Sequence, residues 1–356
     1  MVIMVIDTLV NQEVMSKMKT NTGVGVIGLG FMGRTHVAAF NRASGCQIVA
    51  VADRDRSRLT GDSDGEGNFD TGAGDRLFDP GEVSTCEDAL ELIDHPDVEL
   101  VSITTPTPTH RELALAVIHS GRHLLVEKPV DLDPAVILEI SAAARDAGVL
   151  AMPAHCMRFW PAWAWMKARI DEQQYGSVRS AKFTRTGAAP GWNPSFYLDD
   201  EKSGGAVVDL HIHDTDFIIH CFGTPRSVQS SGSRRHLKTS YEFDGGLEVV
   251  AEGGWLEPPD APFTMRAVIE CSEATIEFDL AAEPEVSVRF PDGRLEPHPE
   301  ASIGGSGYDG EVQAIVDAIQ RGDTSPPVTL EDAAETGRVL QAEIRSLDSE
   351  GERIVI

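Results

Sequence analysis

The sequence predicts an α/β protein: an N-terminal doubly wound parallel sheet, then an α+β half with an open, mostly antiparallel sheet. Three observations carry this. A short apolar run at Val24, Val26 and Ile27 leads into Gly28, Gly30 and Gly33, spaced GxGxxG, and a helical pattern follows. Strand, loop and helix then repeat to about residue 153, as in a Rossmann sheet, where ligands lie at the C-terminal ends of the strands. Beyond residue 178 the pattern changes to alternating strands separated by turn residues.

Each glycine of the first turn has a reason. Gly28 permits the tight turn, Gly30 lets backbone approach a pyrophosphate, and Gly33 lets the helix pack on its strand, with the free N–H groups of the helix start facing the phosphates. The next apolar run, Ile48 to Ala52, ends in Asp53, twenty residues after Gly33, where a carboxylate accepts from the ribose hydroxyls of a dinucleotide. Residues 54–80 read as an irregular, solvated surface loop. Ser84 with Glu87, and Thr109 with Glu112, are read as capping boxes for the helices that follow. Val98 to Thr105 and Leu124 to Val126 are buried strands; Asp133 and Pro134 open a helix that Gly148 stops before a strand from Val149 to Met152.

The second half holds an aromatic-rich helix from Phe159 to about Gln174 and a strand from Val178 to Thr186. A helix from Gly204 to Phe222, further strands at 247–255, 265–271, 275–280 and 286–290, and late helices from Tyr308 and Thr329 follow. The expected division is an extension at 1–22, a nucleotide domain at 23–153 and a substrate and dimerisation domain at 154–356. The start is read as a loose extension, or as an over-long gene model whose true first residue is Met15 or Met18.

The formal net charge is -27, and seven of the thirty basic residues are lysines, so the surface is acidic and nucleic acid is not an expected partner. Five cysteines, widely spaced and without a CxxC, fit a reducing, cytoplasmic compartment. No segment reads as a membrane span.

Three separated motifs resemble those of the glucose-fructose oxidoreductase / inositol dehydrogenase / rhizopine-catabolism family of nicotinamide-dependent oxidoreductases. They are the GxGxxG loop with Asp53, the EKP of Glu127 to Pro129, and GGAVVDLHIHDTD from Gly204 to Asp216. Thr104 to His110 is similar to the loop that passes the nicotinamide in that family, and Met157 to Trp163 to its RFxP segment. The likeness runs over residues 23–347. It implies hydride transfer between NAD, with NADP possible, and a sugar, polyol or related hydroxy compound, in a homodimer or homotetramer. It places Gly28, Gly30, Phe31, Met32, Gly33, Asp53, Arg54, Thr105, Pro106, His110, Glu127 and Lys128 along the cofactor. Asp53 favours NAD by repelling a 2'-phosphate, while Arg54 is positioned to swing onto one.

Hydride transfer is the cofactor's chemistry, so the protein must supply a group that takes the hydroxyl proton. Lys128, at the end of an apolar strand, is one candidate, with burial expected to lower its pKa; adjacent Glu127 is read as structural. On an unbroken helix Asp209, His213, Asp216 and His220 form one polar stripe, and Asp209 is expected to hydrogen-bond His213 and raise its pKa. The resemblance places Asp209 and His213 on the family's functional positions. His211 departs from the glycine frequent there, and helical geometry sets it away from His213, so no metal site is expected. Arg158, Trp192 and Tyr197 are the substrate-binding candidates beside Asp209 and His213, with Arg185 a further possible contact. Two other readings share these motifs: an NAD-retaining glycoside hydrolase and a non-catalytic nucleotide or sugar sensor.

Overall fold

A computed structural model describes residues 21–63, 76–191, 193–257 and 260–356. Residues 1–20 of the expected extension, most of the loop after residue 60, and Trp192 lie outside the described residues, and Thr22, placed in the extension by the sequence, already belongs to the first strand.

Six strands form the first sheet: β1 (Thr22–Ile27), β2 (Cys46–Ala52), β3 (Ser84–Cys86), β4 (Leu100–Ile103), β5 (His123–Glu127) and β6 (Ala151–Ala154). All pairs are parallel, in the order β3-β2-β1-β4-β5-β6. The order reverses between β1 and β4, which opens a crevice at their C-terminal ends. Between these strands run α1 (Phe31–Arg42), α2 (Ala89–Ile93), α3 (His110–His119) and α4 (Pro134–Ala147). Every residue of β1 is buried because helices cover both faces of the sheet.

Two expected helix starts differ. Ser84 lies in β3, and α2 is capped instead by Asp88, whose carboxylate accepts from Leu90 N. Thr109 makes no cap, because its hydroxyl donates to Pro106 O. Asp133 and Gly148 bound α4 as expected.

The second half begins with α5 (Pro161–Asp171), β7 (Val178–Ala188) and the short helices α6 (Pro194–Tyr197) and α7 (Asp200–Ser203). The expected single helix from Gly204 to Phe222 is two: α8 (Gly205–Asp209) and α9 (Ile212–Phe222). At the break His211 N bonds to Ala206 O, so the ladder skips a step and the second helix is turned relative to the first. A nine-stranded sheet follows, completed by β8 (Ser227–Ser233), β9 (His236–Glu242), β10 (Glu248–Leu256), β11 (Thr264–Cys271), β12 (Thr275–Asp279), β13 (Val286–Arg289), β14 (Leu295–Pro297) and β15 (Ile354–Val355). Among its pairs β7 with β10 is parallel and the others are antiparallel.

The last helices, α10 (Gly307–Arg321) and α11 (Leu330–Asp348), carry full capping boxes at Ser306 and Thr329. Chain order groups α10 with the second half, yet Val312, Ile315 and Val316 pack with Val24, Val37 and Phe40 in the core of the first sheet. Trp163 is fully buried, edge-on to Phe217 at 4.6 Å and to Phe278 at 5.6 Å, and anchors the second core. Among the described residues no helix is long and apolar enough to cross a membrane.

Candidate active site

The crevice is built first from the turn after β1. Gly28 has φ +91, and a Cβ at Gly33 would fall 1.8 Å from Gly28 O, so neither position accommodates a side chain. Gly30 faces open space, with Arg58 Nη1 at 3.9 Å as its nearest neighbour, and no side chain caps α1 there. A bare backbone edge at a helix N-terminus is what a pyrophosphate needs, and the residues present fit that group. Phe31 and Met32 open the helix, half-buried. Thr104, which the sequence reading passed over, locks the turn by donating to Ile27 O at 3.0 Å and Gly28 O at 2.7 Å.

Asp53 stands at the end of β2. One oxygen accepts from Leu29 N at 2.6 Å and the other from Asp55 N at 2.8 Å, which fixes the carboxylate beside the glycine turn. Among the described residues the cation paired with it is Arg58, Nη1 to Oδ2 3.4 Å, whereas Arg54, the residue expected from the sequence, is exposed and forms no ion pair with Asp53. A turn of 3-10 helix at Arg56–Thr60 folds Arg58 back, a tertiary detail that adjacency in sequence does not reveal.

After β4, Thr105 pairs with Thr109 at 2.7 Å and Pro106 is exposed. His110 and Glu127 do not line the crevice. His110 is buried between two carbonyls, with Nε2 2.6 Å from Thr105 O and Nδ1 3.0 Å from Pro129 O, and as a neutral ring it donates to one of them. Burial holds its pKa below the ordinary histidine range. Glu127 is buried against His36, Oε1 to Nε2 3.0 Å. Its burial favours the neutral acid, but the His36 hydrogen bond and the neighbouring charges outweigh that and hold it below the usual carboxylate range.

Lys128 follows directly and reaches across to the second half of the chain. Its Nζ donates to Asp209 O at 2.7 Å and Asp209 Oδ1 at 3.2 Å, with both side chains largely buried. Burial alone would lower the lysine pKa, as the sequence reading expected. Asp209, Glu127 and Tyr197 reverse it, and the net shift is upward, so Lys128 is an ammonium. Tyr197, from α6, thus stands near Lys128, and its ring packs edge-on to Trp255 at 6.3 Å.

The expected Asp209–His213 hydrogen bond is replaced by this Lys128–Asp209 pair. The regular helical ladder is interrupted at Leu210 and His211, between the two residues. His213 is half-buried, and its Nδ1 is sealed without a hydrogen-bond partner. Burial, then the charges of Lys128 and Arg185 and the nearby His155, push its pKa well below the ordinary histidine range, opposite to the rise expected from an Asp209 partner. The imidazole is therefore neutral, with Nε2 left as the ring atom able to meet a hydroxyl.

Arg158 is not free to bind substrate. It forks onto Asp216, Nε to Oδ2 2.9 Å and Nη2 to Oδ1 2.7 Å, and is largely buried. Arg185 is likewise committed to Asp214, Nη2 to Oδ1 2.9 Å. His211 turns inward, Nε2 to Tyr241 OH 3.0 Å and to Glu343 Oε2 3.1 Å. Gly253 makes its space, since a Cβ there would lie 2.4 Å from His211 Nδ1.

Residues 22–155 match the model of an oxidoreductase family with an NAD-binding Rossmann fold, and residues 163–277 match the GFO/IDH/MocA C-terminal domain. The scyllo-inositol 2-dehydrogenase (NAD(+)) of Bacillus subtilis is 32% identical over 149 residues, 42% of this chain and 42% of that protein. The 1,5-anhydro-D-fructose reductase of Ensifer adhaerens is 28% identical over 234 residues, 64% of this chain and 63% of that protein. The chain thus spans about half the length of the curated relatives it matches. The solved structure of a levoglucosan dehydrogenase, in complex with NADH and levoglucosan, superposes with a TM-score of 0.77 at 22% identity, covering 94% of this chain and 99% of that one. At that identity the likeness speaks to the fold.

Proposed function

Because the chain belongs to the GFO/IDH/MocA oxidoreductase family, we propose that it oxidises a secondary hydroxyl of a sugar or polyol with NAD. The observation that carries this is the meeting of Lys128, at the end of β5 beside the crevice, with Asp209 and neutral His213 from the other half. NAD held at the glycine turn, with Asp53 at its ribose, would supply the hydride acceptor for the carbinol carbon. His213 Nε2 takes the hydroxyl proton, and the Lys128 ammonium stabilises the negative charge that builds on that oxygen before the carbonyl forms. Asp209 holds Lys128 charged and in place. Tyr197 offers a flat, half-buried face to a ring substrate.

Asp53 supports NAD over NADP, since its carboxylate is fixed beside the glycine turn where it meets ribose hydroxyls and repels a 2'-phosphate. The exposed outer face of the second sheet, with Arg266, Val268 and Glu270 on β11, supports pairing with a second copy in a homodimer or homotetramer. Five unpaired cysteines support a cytoplasmic setting.

The test is a screen of sugars and polyols with NAD and with NADP, following absorbance of the reduced nucleotide. A cyclic polyol or sugar that reduces NAD in a His213-dependent way supports the reading. Nucleotide retained through dialysis, with aryl-glycoside cleavage and no net NADH, contradicts it.

A further inference from the structure

Beneath the EKP segment lies a buried polar chain that the hydride transfer itself does not require. His36, on α1, is fully buried, with Nδ1 2.8 Å from Ser102 Oγ and Nε2 3.0 Å from Glu127 Oε1. The other Glu127 oxygen accepts from the backbone N of Lys128 at 3.0 Å. Hydrogen-bonded contacts thus run from β4 through α1 to the backbone of the residue whose ammonium is tied, at its far end, to Asp209. An ionised carboxylate buried under a sheet costs stability unless it is paired, and an apolar residue would fill the space more cheaply. Its second oxygen acts on Lys128 directly, which a packing role does not explain.

We propose that His36, acting through Glu127, is a positioning residue for Lys128: it holds the Glu127 carboxylate against the Lys128 backbone, so that the ammonium is presented charged and at a fixed place. The inference rests on the proposed role of Lys128. The charged and titratable groups facing Lys128 are Asp209 on α8, Tyr197 on α6, His213 on α9, Cys156 after β6 and Glu127 at the end of β5. Those facing Glu127 are His36, Lys128 and His110, with Glu311 and Tyr308 of α10, and Cys156 and His155 after β6, on its remaining sides. Among the first group Glu127 and Asp209 are the carboxylates, so loss of either moves the Lys128 pKa downward.

The experiment compares Glu127→Gln, His36→Leu, His36→Gln and Lys128→Met on the substrate found by the screen. It measures kcat and KM across pH, nucleotide Kd by fluorescence, and Tm. Glu127→Gln is isosteric and removes the charge: its carbonyl oxygen can still accept from Lys128 N, while its NH2 takes the place of Oε1 and donates to His36 Nε2 with the imidazole in its other tautomer. Its kcat is expected to fall at least about tenfold at unchanged KM, with the alkaline limb of kcat moved to lower pH and nucleotide Kd within about threefold. His36→Leu should follow it, and His36→Gln, which keeps a donor for Glu127, should recover kcat to within about threefold of wild type. If His36→Leu does not fold, Glu127→Gln decides alone. The inference is overturned if Glu127→Gln keeps kcat within about threefold with its alkaline limb unmoved, while Lys128→Met remains deeply impaired. A Lys128→Met variant with normal kcat removes the proposed role of Lys128, and this inference with it.

Discussion

Lys128 and Asp209, 81 positions apart in sequence, are joined twice, through the aspartate's backbone oxygen at 2.7 Å and its carboxylate at 3.2 Å. This double tie crosses from the first sheet to the broken helix of the second half. It separates the roles of the two titratable groups beside the crevice: a lysine kept charged and a histidine kept neutral.

His213→Asn should lower kcat by roughly 10² to 10⁴ with nucleotide binding and Tm nearly unchanged, because the residue is half-buried and its Nδ1 makes no hydrogen bond. Steady-state kinetics beside a melting curve check this. A kcat within about threefold of wild type would remove His213 from the chemistry.

Lys128→Met should be comparably deep and should also move the acid limb of kcat to higher pH. The Lys128 charge is one of the groups pressing the His213 pKa down, so its loss lets the imidazole protonate sooner. An acid limb that stays in place in this variant contradicts the coupling.

The nucleotide site was largely legible. The turn after β1, Asp53 at the end of β2 and the parallel character of the first sheet follow from glycine spacing and apolar period, which are local signals, while the short edge strand β3 and the strand order do not. What was not legible is tertiary. No Gly or Pro marks the break at Leu210 and His211, so a regular 100° step put Asp209 and His213 on one unbroken helix that the fold does not keep. Arg158 looked available because Asp216, its fork partner, lies 58 positions away. Glu311 gave no signal at all, since α10 returns to the first sheet only after β7 to β14 of the second sheet.

For cofactor choice, Arg58→Ala should weaken NADP binding while Arg54→Ala leaves it near wild type, because Arg58 is the cation at 3.4 Å from Asp53. Fluorescence titration of both nucleotides checks this, and a tighter Kd for NADP than for NAD in the wild type would overturn the NAD assignment.

Glu311 is fully buried with neither carboxylate oxygen hydrogen-bonded, and burial and then nearby Glu127 raise its pKa well above the ordinary 4.5. A raised folded pKa means that its share of stability is present in acid and is lost as pH climbs above 4.5. Glu311→Gln should therefore raise Tm by a few degrees at pH 7, with the gain shrinking toward pH 4.5. Equal Tm values across that range would show that Glu311 carries no such penalty.

His211 is raised above the ordinary 6.5: burial pulls it down, but the Glu343 charge and hydrogen bond prevail. Its contribution is full below 6.5 and fades as pH rises through the folded value. The wild type should lose Tm over that interval more steeply than His211→Gln, as followed by calorimetry.

The pH profile of kcat in Asp209→Asn tests the central assignment most directly. Asp209 is tied to Lys128 and helps to raise its pKa, so the variant should show an alkaline limb moved to lower pH and an acid limb left where it was. An acid limb moved to lower pH with the alkaline limb unchanged would mean that Asp209 acts on His213 instead, and would contradict the account.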